Sequence, residues 1–186
     1  SCSLVGSEMC IRDSVEESLF FANQKKDLNV LIHENFYDVT QGIYATGSQL
    51  DMIYPMLVGA VPDNLIQLTT EKMKERTLGI DRGHLGVGLV GIPILTEWSV
   101  RNKEVDFLYQ MLKKHDYPGY LYMLDRGATT TWEYWDGERS HIHNCYNGIG
   151  AWFYQALAGI MPDESQPGYK HILSLIHISE PTRLQL

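Results

Sequence analysis

Between Leu85 and Trp98 the chain is apolar on nearly every side, and Gly86, Gly88 and Gly91 interrupt the run. Its length favours a helix over a strand. A helix that is hydrophobic all round is a buried one, with glycines letting its neighbours come close. The longest wholly apolar part, Leu85 to Leu95, falls well short of the roughly 18 residues a membrane span needs. The run must therefore find its cover inside a protein fold.

The segments around it alternate in character. Val15 to His33 places Leu19, Phe20, Leu28, Leu31 and Ile32 at helical spacing and reads as one amphipathic helix or two. Glu34 to Thr46 reads as a loop. Ser48 to Ala60 is strongly apolar, with Ser48 as a candidate N-cap. Pro62-Asp63-Asn64 restarts the chain as a surface helix, in which Leu65, Leu68 and Met73 oppose Glu71, Lys72, Lys74, Glu75 and Arg76. Thr77 to Gly83 follows as a loop. After the apolar run, Lys103 to His115 is amphipathic again and is broken by Pro118-Gly119. Tyr120 to Trp135 is too rich in Gly, Thr and aromatics for a clean helix and reads as a long structured loop with short strands. Asn147 to Ile160 is an apolar helix ended by Gly159 and Pro162. Two-layer toroids of inner and outer helices produce this alternation, so the expected class is all-α.

The two ends read differently. Leu173 to Arg183 can be encoded by a DNA segment whose reverse complement, in a suitable frame, encodes Leu4 to Asp13. Both ends are expected to be one DNA segment read from opposite strands, and it resembles a transposase adapter of sequencing libraries. Such segments are kept out of fold reasoning. The expected organisation is a non-native segment 1–14, a native segment 15–172 and a non-native segment 173–186, the native part being cut at both sides. Cys2 and Cys10 then leave with the ends. Cys145 remains as the only native cysteine, with no disulfide framework and no zinc-ligand spacing. The 186-residue chain carries a formal net charge of −8. Discounting Arg12, Arg183, Glu8, Asp13 and Glu180 leaves it acidic. No basic face exists for nucleic acid, so no nucleic-acid partner is expected.

Chemistry concentrates in Gly127-Ala128-Thr129-Thr130-Thr131-Trp132-Glu133-Tyr134-Trp135. Here one carboxylate lies among three large aromatic rings, with Asp136, Glu138, His141 and His143 close downstream. Aromatic rings offer flat apolar faces to sugar C–H groups, and their polar tips can bond hydroxyls. A carboxylate held ionised among them can act as a general base on water. Glycosidases need two carboxyl groups, an acid and a base. The alternative is that Trp132 and Trp135 are core residues and Glu133 makes a structural bond. Other candidates carry less. His141 and His143 lack a third ligand at suitable spacing, so no metal and no cofactor are expected. Asp81-Arg82 with His84 fits a barrel mouth or a solvated loop equally well. Cys145 reads as a small core residue rather than a nucleophile. Lys113-Lys114 reads as the basic end of its helix. The glycines of 83–91 lack the Lys-Ser/Thr of a phosphate loop.

The run from Gly127 to Trp135, followed by Ser140, His143, Gly150, Trp152, Phe153, Ala158-Gly159-Ile160 and Pro167-Gly168-Tyr169-Lys170-His171-Ile172, resembles the C-terminal part of the catalytic domain of bacterial α-L-rhamnosidases of glycoside hydrolase family 78. Gln49 opening an apolar helix and His84-Leu85 leading into the glycine-rich run fit as well. The resemblance covers nearly all of 15–172. It implies a partial (α/α)6 barrel, about the last half of the toroid, with the long loop carrying the active-site motif. It implies an inverting hydrolase that removes terminal α-L-rhamnose from a glycan or glycoside, with Glu133 as general base. It further implies that Trp132, Trp135 and His143 contact the sugar. The family's general acid lies in an upstream acidic segment absent from 15–80, so the missing N-terminal half of the domain is an implied partner. Tyr134, Asn147 and Ala151 stand where Arg, Gly and Glu are common, departures that bear on substrate preference. Another (α/α)6 glycosidase, a polysaccharide lyase and a non-catalytic carbohydrate-binding module are the alternatives. Half a toroid is expected to leave helices such as 85–98 unpaired, making the piece inactive and poorly soluble alone.

Overall fold

The computed structural model describes residues 15–144, 146–163, 166 and 171–174. The readings placed on 1–14, on Cys145, on 167–170 and on 175–186 lie outside the described residues. The chain divides into two compact units, residues 1–72 and 73–186.

The first unit opens with helix α1 (Val15–Phe36), a single helix that buries none of its residues. The segment expected as a plain loop is a tight hairpin, strand β1 (Tyr37–Asp38) against strand β2 (Ile43–Tyr44), with Tyr37 opposite Tyr44. Asp38 makes the turn. Its carboxylate accepts the N–H groups of Gln41 and Thr40 at 3.0 and 2.8 Å and the Gln41 side-chain amide at 2.7 Å. Those bonds, led by the Gln41 N–H, hold the Asp38 carboxyl below its ordinary pKa. Helix α2 (Gln49–Val58) starts where the sequence predicts, with the Ser48 hydroxyl accepting the Asp51 N–H at 3.2 Å. It stops at Gly59, whose φ of 81° places it in the left-handed region that closes helices. Met52, Ile53 and Tyr44 form the buried centre. The Tyr44 hydroxyl lies 2.7 Å from His33 Nδ1, and burial pushes its pKa up to about 12. Helix α3 (Asp63–Gly79) begins in this unit and runs further than predicted, into the segment read as a loop.

In the second unit, helix α4 (Gly91–Arg101) corrects the expectation of a helix from Leu85. Proline at 93 is the physical reason. A helix starting at Leu85 would place Pro93 in its interior, where it lacks an N–H and clashes with the preceding turn, at a cost of about 3 kcal/mol. Beginning at Gly91 puts it in the first turn, where its missing donor costs nothing. The preceding loop folds back so tightly that a Cβ on Gly91 would meet the Val87 Cβ at 2.5 Å. Helix α5 (Val105–Leu112), the short helix α6 (Tyr120–Asp125) and helix α7 (Ile149–Trp152) follow, the last continuing as a π-helical turn over Phe153–Leu157. Strands β3 (Ile160–Pro162) and β4 (Ile172–Ser174) pair antiparallel, and β4 runs two residues past the expected boundary at 172. Ile92, Leu95, Trp98, Leu108, Met111 and Trp152 make the core. A hydrogen-bond relay crosses it. The Trp152 indole N–H donates to the Ser99 hydroxyl at 3.2 Å, and that hydroxyl donates to the Glu104 carbonyl at 3.1 Å.

The apolar run is covered only in part: Leu85, Val87, Ile92, Leu95 and Trp98 are buried, while Leu89 and Val90 are 51% and 61% exposed. A further exposed apolar face lies on α1, where Leu19, Phe20, Leu28 and Leu31 are 52–60% exposed. That concentration marks an association surface. Replacing these four residues with Ser or Gln should sharply reduce self-association of the 186-residue chain and its binding of an apolar dye, measured by light scattering and fluorescence. A second outcome follows from Asp51, whose carboxyl is held below its ordinary pKa because hydrogen bonds from Thr46 and Ser48 outweigh the upward pull of burial. A lowered folded-state pKa stabilises above the unfolded pKa and is lost as pH falls through the folded value. Asp51→Asn should thus destabilise the chain at pH 7 and make little difference at pH 2, read from urea melts at both.

Candidate active site

Residues 127–148 contain no helix or strand among the described residues, so side chains and isolated backbone bonds must hold the segment together. Two stretches run antiparallel. The Glu133 N–H donates to the Ser140 carbonyl at 2.8 Å, and the His143 N–H donates to the Thr131 carbonyl at 3.0 Å. Thr131 Oγ1 lies 2.5 Å from the His143 carbonyl and 2.8 Å from Asn147 Oδ1, and Thr130 Oγ1 donates to the His141 carbonyl. The turn between them closes at Gly137, whose N–H donates to the Tyr134 carbonyl at 3.1 Å and whose φ is 80°. A Cβ there would meet the Trp132 ring at 2.8 Å. Only glycine satisfies both the dihedral and the contact.

The two indoles expected to contact the sugar are largely buried within the loop. Trp132 and Trp135 are 6% and 8% exposed. Trp132 stacks on the His141 ring at 4.6 Å, and Trp135 stacks on Tyr146 at 3.9 Å with the Tyr120 ring edge-on at 5.1 Å. The physical reason is burial. A segment without a ladder needs its own small core, and large rings supply most area per residue. His141 is fixed in turn, its Nε2–H donating to the Gly137 carbonyl at 2.8 Å. Tyr120 donates its hydroxyl to the Tyr146 carbonyl at 2.7 Å, and burial drives its pKa far up, which keeps it a donor.

Glu133 lies between the two indoles in sequence and is neither buried nor fully exposed. Its Oε2 accepts the Ser140 N–H at 3.4 Å. Ser140 therefore holds Glu133 at both backbone and carboxylate, and its hydroxyl also donates to the Ile142 carbonyl at 3.0 Å while accepting the Ile142 N–H at 3.3 Å. The sequence presents Ser140 only as a motif position and does not reveal that double role. Its one signal is a serine seven residues past an acid, in a segment with no strand pattern. Beside this clasp opens a concavity of about 590 Å3, lined by Thr130, Thr131, Ile142, His143, Asn144 and Asn147. The structure thus places His143, but not Glu133, among the residues lining the concavity, and buries Trp132 and Trp135.

The remaining candidates sit elsewhere. His84 is buried with Nε2 3.0 Å from Asp116 Oδ2, Asp81 lies 3.8 Å from Arg76, and Lys113 caps α5 with its ammonium over the Tyr109 ring. Among the described residues, no group of three or more His, Cys, Asp or Glu side chains gathers as metal ligands would. No helix among them is long and apolar enough to cross a membrane.

The described chain is mostly helical, and its longest irregular segment carries Glu133 and most of the lining of a concavity. Residues 7–157 match the family model described as the bacterial alpha-L-rhamnosidase 6 hairpin glycosidase domain, and the chain belongs to that family. An alpha-L-rhamnosidase of Formosa agariphila is 32% identical over 84% of this chain and 16% of its own length. One of an Alteromonas species is 29% identical over 78% and 15%. The chain therefore spans about a sixth of the length of these relatives. Two solved structures share the fold: the native alpha-L-rhamnosidase of Aspergillus terreus (TM-score 0.76, 22% identity, 84% of this chain and 19% of that one) and the Streptomyces avermitilis alpha-L-rhamnosidase complexed with L-rhamnose (TM-score 0.71, 23% identity, 84% and 16%).

The clasp makes a testable demand on its turn. Gly137→Ala should destabilise the second unit by about 1–3 kcal/mol, since it combines strain at positive φ with overpacking against a rigid ring. Denaturant unfolding followed by tryptophan fluorescence measures it.

Proposed function

We propose that the protein containing this chain hydrolyses terminal α-L-rhamnosides with inversion, and that Glu133 is its general base. The supporting observation is the clasp, in which Ser140 holds the Glu133 carboxylate by a single N–H while the opposing stretch carries His143 into the adjacent concavity. The Glu133 carboxylate takes a proton from a water molecule. The resulting hydroxide oxygen bonds to the anomeric carbon as the glycosidic C–O bond breaks on the opposite face. A general acid, supplied by the rest of the protein, gives its proton to the departing oxygen. The two carboxyl groups need a separation of about 6.5–9.5 Å to leave room for that water. His143 binds sugar hydroxyls. Trp132 and Trp135 act on the sugar indirectly, by fixing the loop from within.

The test is Glu133→Gln in the full-length protein, which keeps the shape of the side chain and removes its basicity. Turnover of an aryl α-L-rhamnoside should fall by at least roughly 100-fold, with unchanged circular dichroism and melting. Activity within a few-fold of wild type would reject Glu133 as the base. A full-length protein that binds L-rhamnose but never cleaves the aryl glycoside would be a carbohydrate-binding module instead.

A further inference from the structure

Tyr120 stands outside the loop and contacts both of its arms. It is the first residue of α6. Its ring meets Trp135 edge-on at 5.1 Å, and its hydroxyl donates to the Tyr146 carbonyl at 2.7 Å. Trp135 follows Glu133 by two residues, and Tyr146 follows His143 by three. The rings of Trp135 and Tyr146 stack at 3.9 Å, and both side chains are buried. One tyrosine thus contacts the Glu133 arm with its ring and the His143 arm with its oxygen. The two contacts differ in kind. A ring edge slides with little cost, whereas a hydrogen bond weakens steeply with distance and angle. The clasp bonds reach only as far as His143, and beyond it the chain turns back toward Trp135 with no strand to guide it. The Tyr146 carbonyl also accepts the Ile149 N–H, but at 3.4 Å, so the Tyr120 hydroxyl is the closer donor. Burial holds that phenol protonated well above neutral pH, and the donor is therefore present wherever the loop is folded.

We propose that Tyr120 is a positioning residue for the hydrolysis, its hydroxyl fixing the His143 arm relative to the Glu133 arm. The inference rests on the reading above, in which His143 binds the sugar and Glu133 activates the water. Tyr120 acts through Trp135 and Tyr146. Without its hydroxyl the ring contact with Trp135 persists, but the His143 arm is free to shift and carries the bound sugar with it. Binding survives such a shift, because His143 and the sugar move together. The line from carboxylate through water to anomeric carbon does not, since a misplacement of about 1 Å can cost up to about 100-fold in rate. The loss therefore falls on kcat and spares KM.

The experiment uses the full-length protein, an aryl α-L-rhamnoside and Tyr120→Phe, which keeps the ring that fills the loop core and removes the hydroxyl. Turnover should fall roughly tenfold in kcat with KM within about twofold of wild type. The acid limb of the pH profile, which reports the base, should stay where wild type has it. Ser99→Ala is the stability control, since it deletes a buried hydroxyl from the Trp152–Ser99–Glu104 relay in the helical core. It should lower the melting temperature and leave kcat within about twofold of wild type. An unchanged kcat in Tyr120→Phe, a loss confined to KM, or an equal kcat loss in Ser99→Ala overturns the role of Tyr120. So does a displaced acid limb, which would mean that Tyr120 tunes the charge of the base rather than its place. With Glu133→Gln inactive, any of these results leaves the proposed reaction standing. A wild type that never cleaves the rhamnoside, or a Glu133→Gln variant as active as wild type, overturns that reading and this inference with it.

Discussion

The antiparallel clasp between 131–133 and 140–143 is the constraint on which the site depends. It joins two stretches that have no regular secondary structure, and two backbone bonds make the join, Glu133 to Ser140 and His143 to Thr131. Such a pair is weak by itself, because each backbone bond contributes only about 0.5–1.5 kcal/mol net. What makes it a fixed geometry is the turn. Gly137 sits at positive φ with its Cα against Trp132, so the turn and the indole define each other. The rings of His141, Tyr146 and Tyr120 then cover Trp132 and Trp135. Rigidity here comes from aromatic packing rather than from a ladder.

Residue type alone does not show how the indoles pack within the loop. Two tryptophans flanking an acid are equally compatible with a sugar platform and with a miniature core, since both uses exploit a large flat apolar face. The deciding fact is what else the loop supplies. A histidine nine residues after Trp132 and a tyrosine eleven residues after Trp135 reach back across the turn, and sequence distance does not reveal that reach. The helices are more legible. Ser48 and Gly59 bound α2 because a cap and a left-handed stop are local devices, readable from the residues that make them. The start of α4 is legible too once Pro93 is weighed above the apolar count of 85–98. The 37–44 hairpin is not, as its strands are two residues each and too short to show alternation. The exposure of α1 is tertiary, and its amphipathic pattern does not say whether a partner face lies within the chain.

Several of the chain's carboxylates are engaged in turns, caps and ion pairs. Asp38 accepts three hydrogen bonds from Thr40 and Gln41. Asp51 accepts from the backbone and hydroxyl of Thr46, and Glu104, Glu97, Asp125 and Asp163 each face a cationic or imidazole nitrogen at 2.5–2.9 Å. Glu133 accepts one N–H at 3.4 Å. An ionised carboxylate offers about four lone-pair positions, so most of its capacity stays open to water. The proposed role of Glu133 as general base requires a carboxylate that can still take a proton from water.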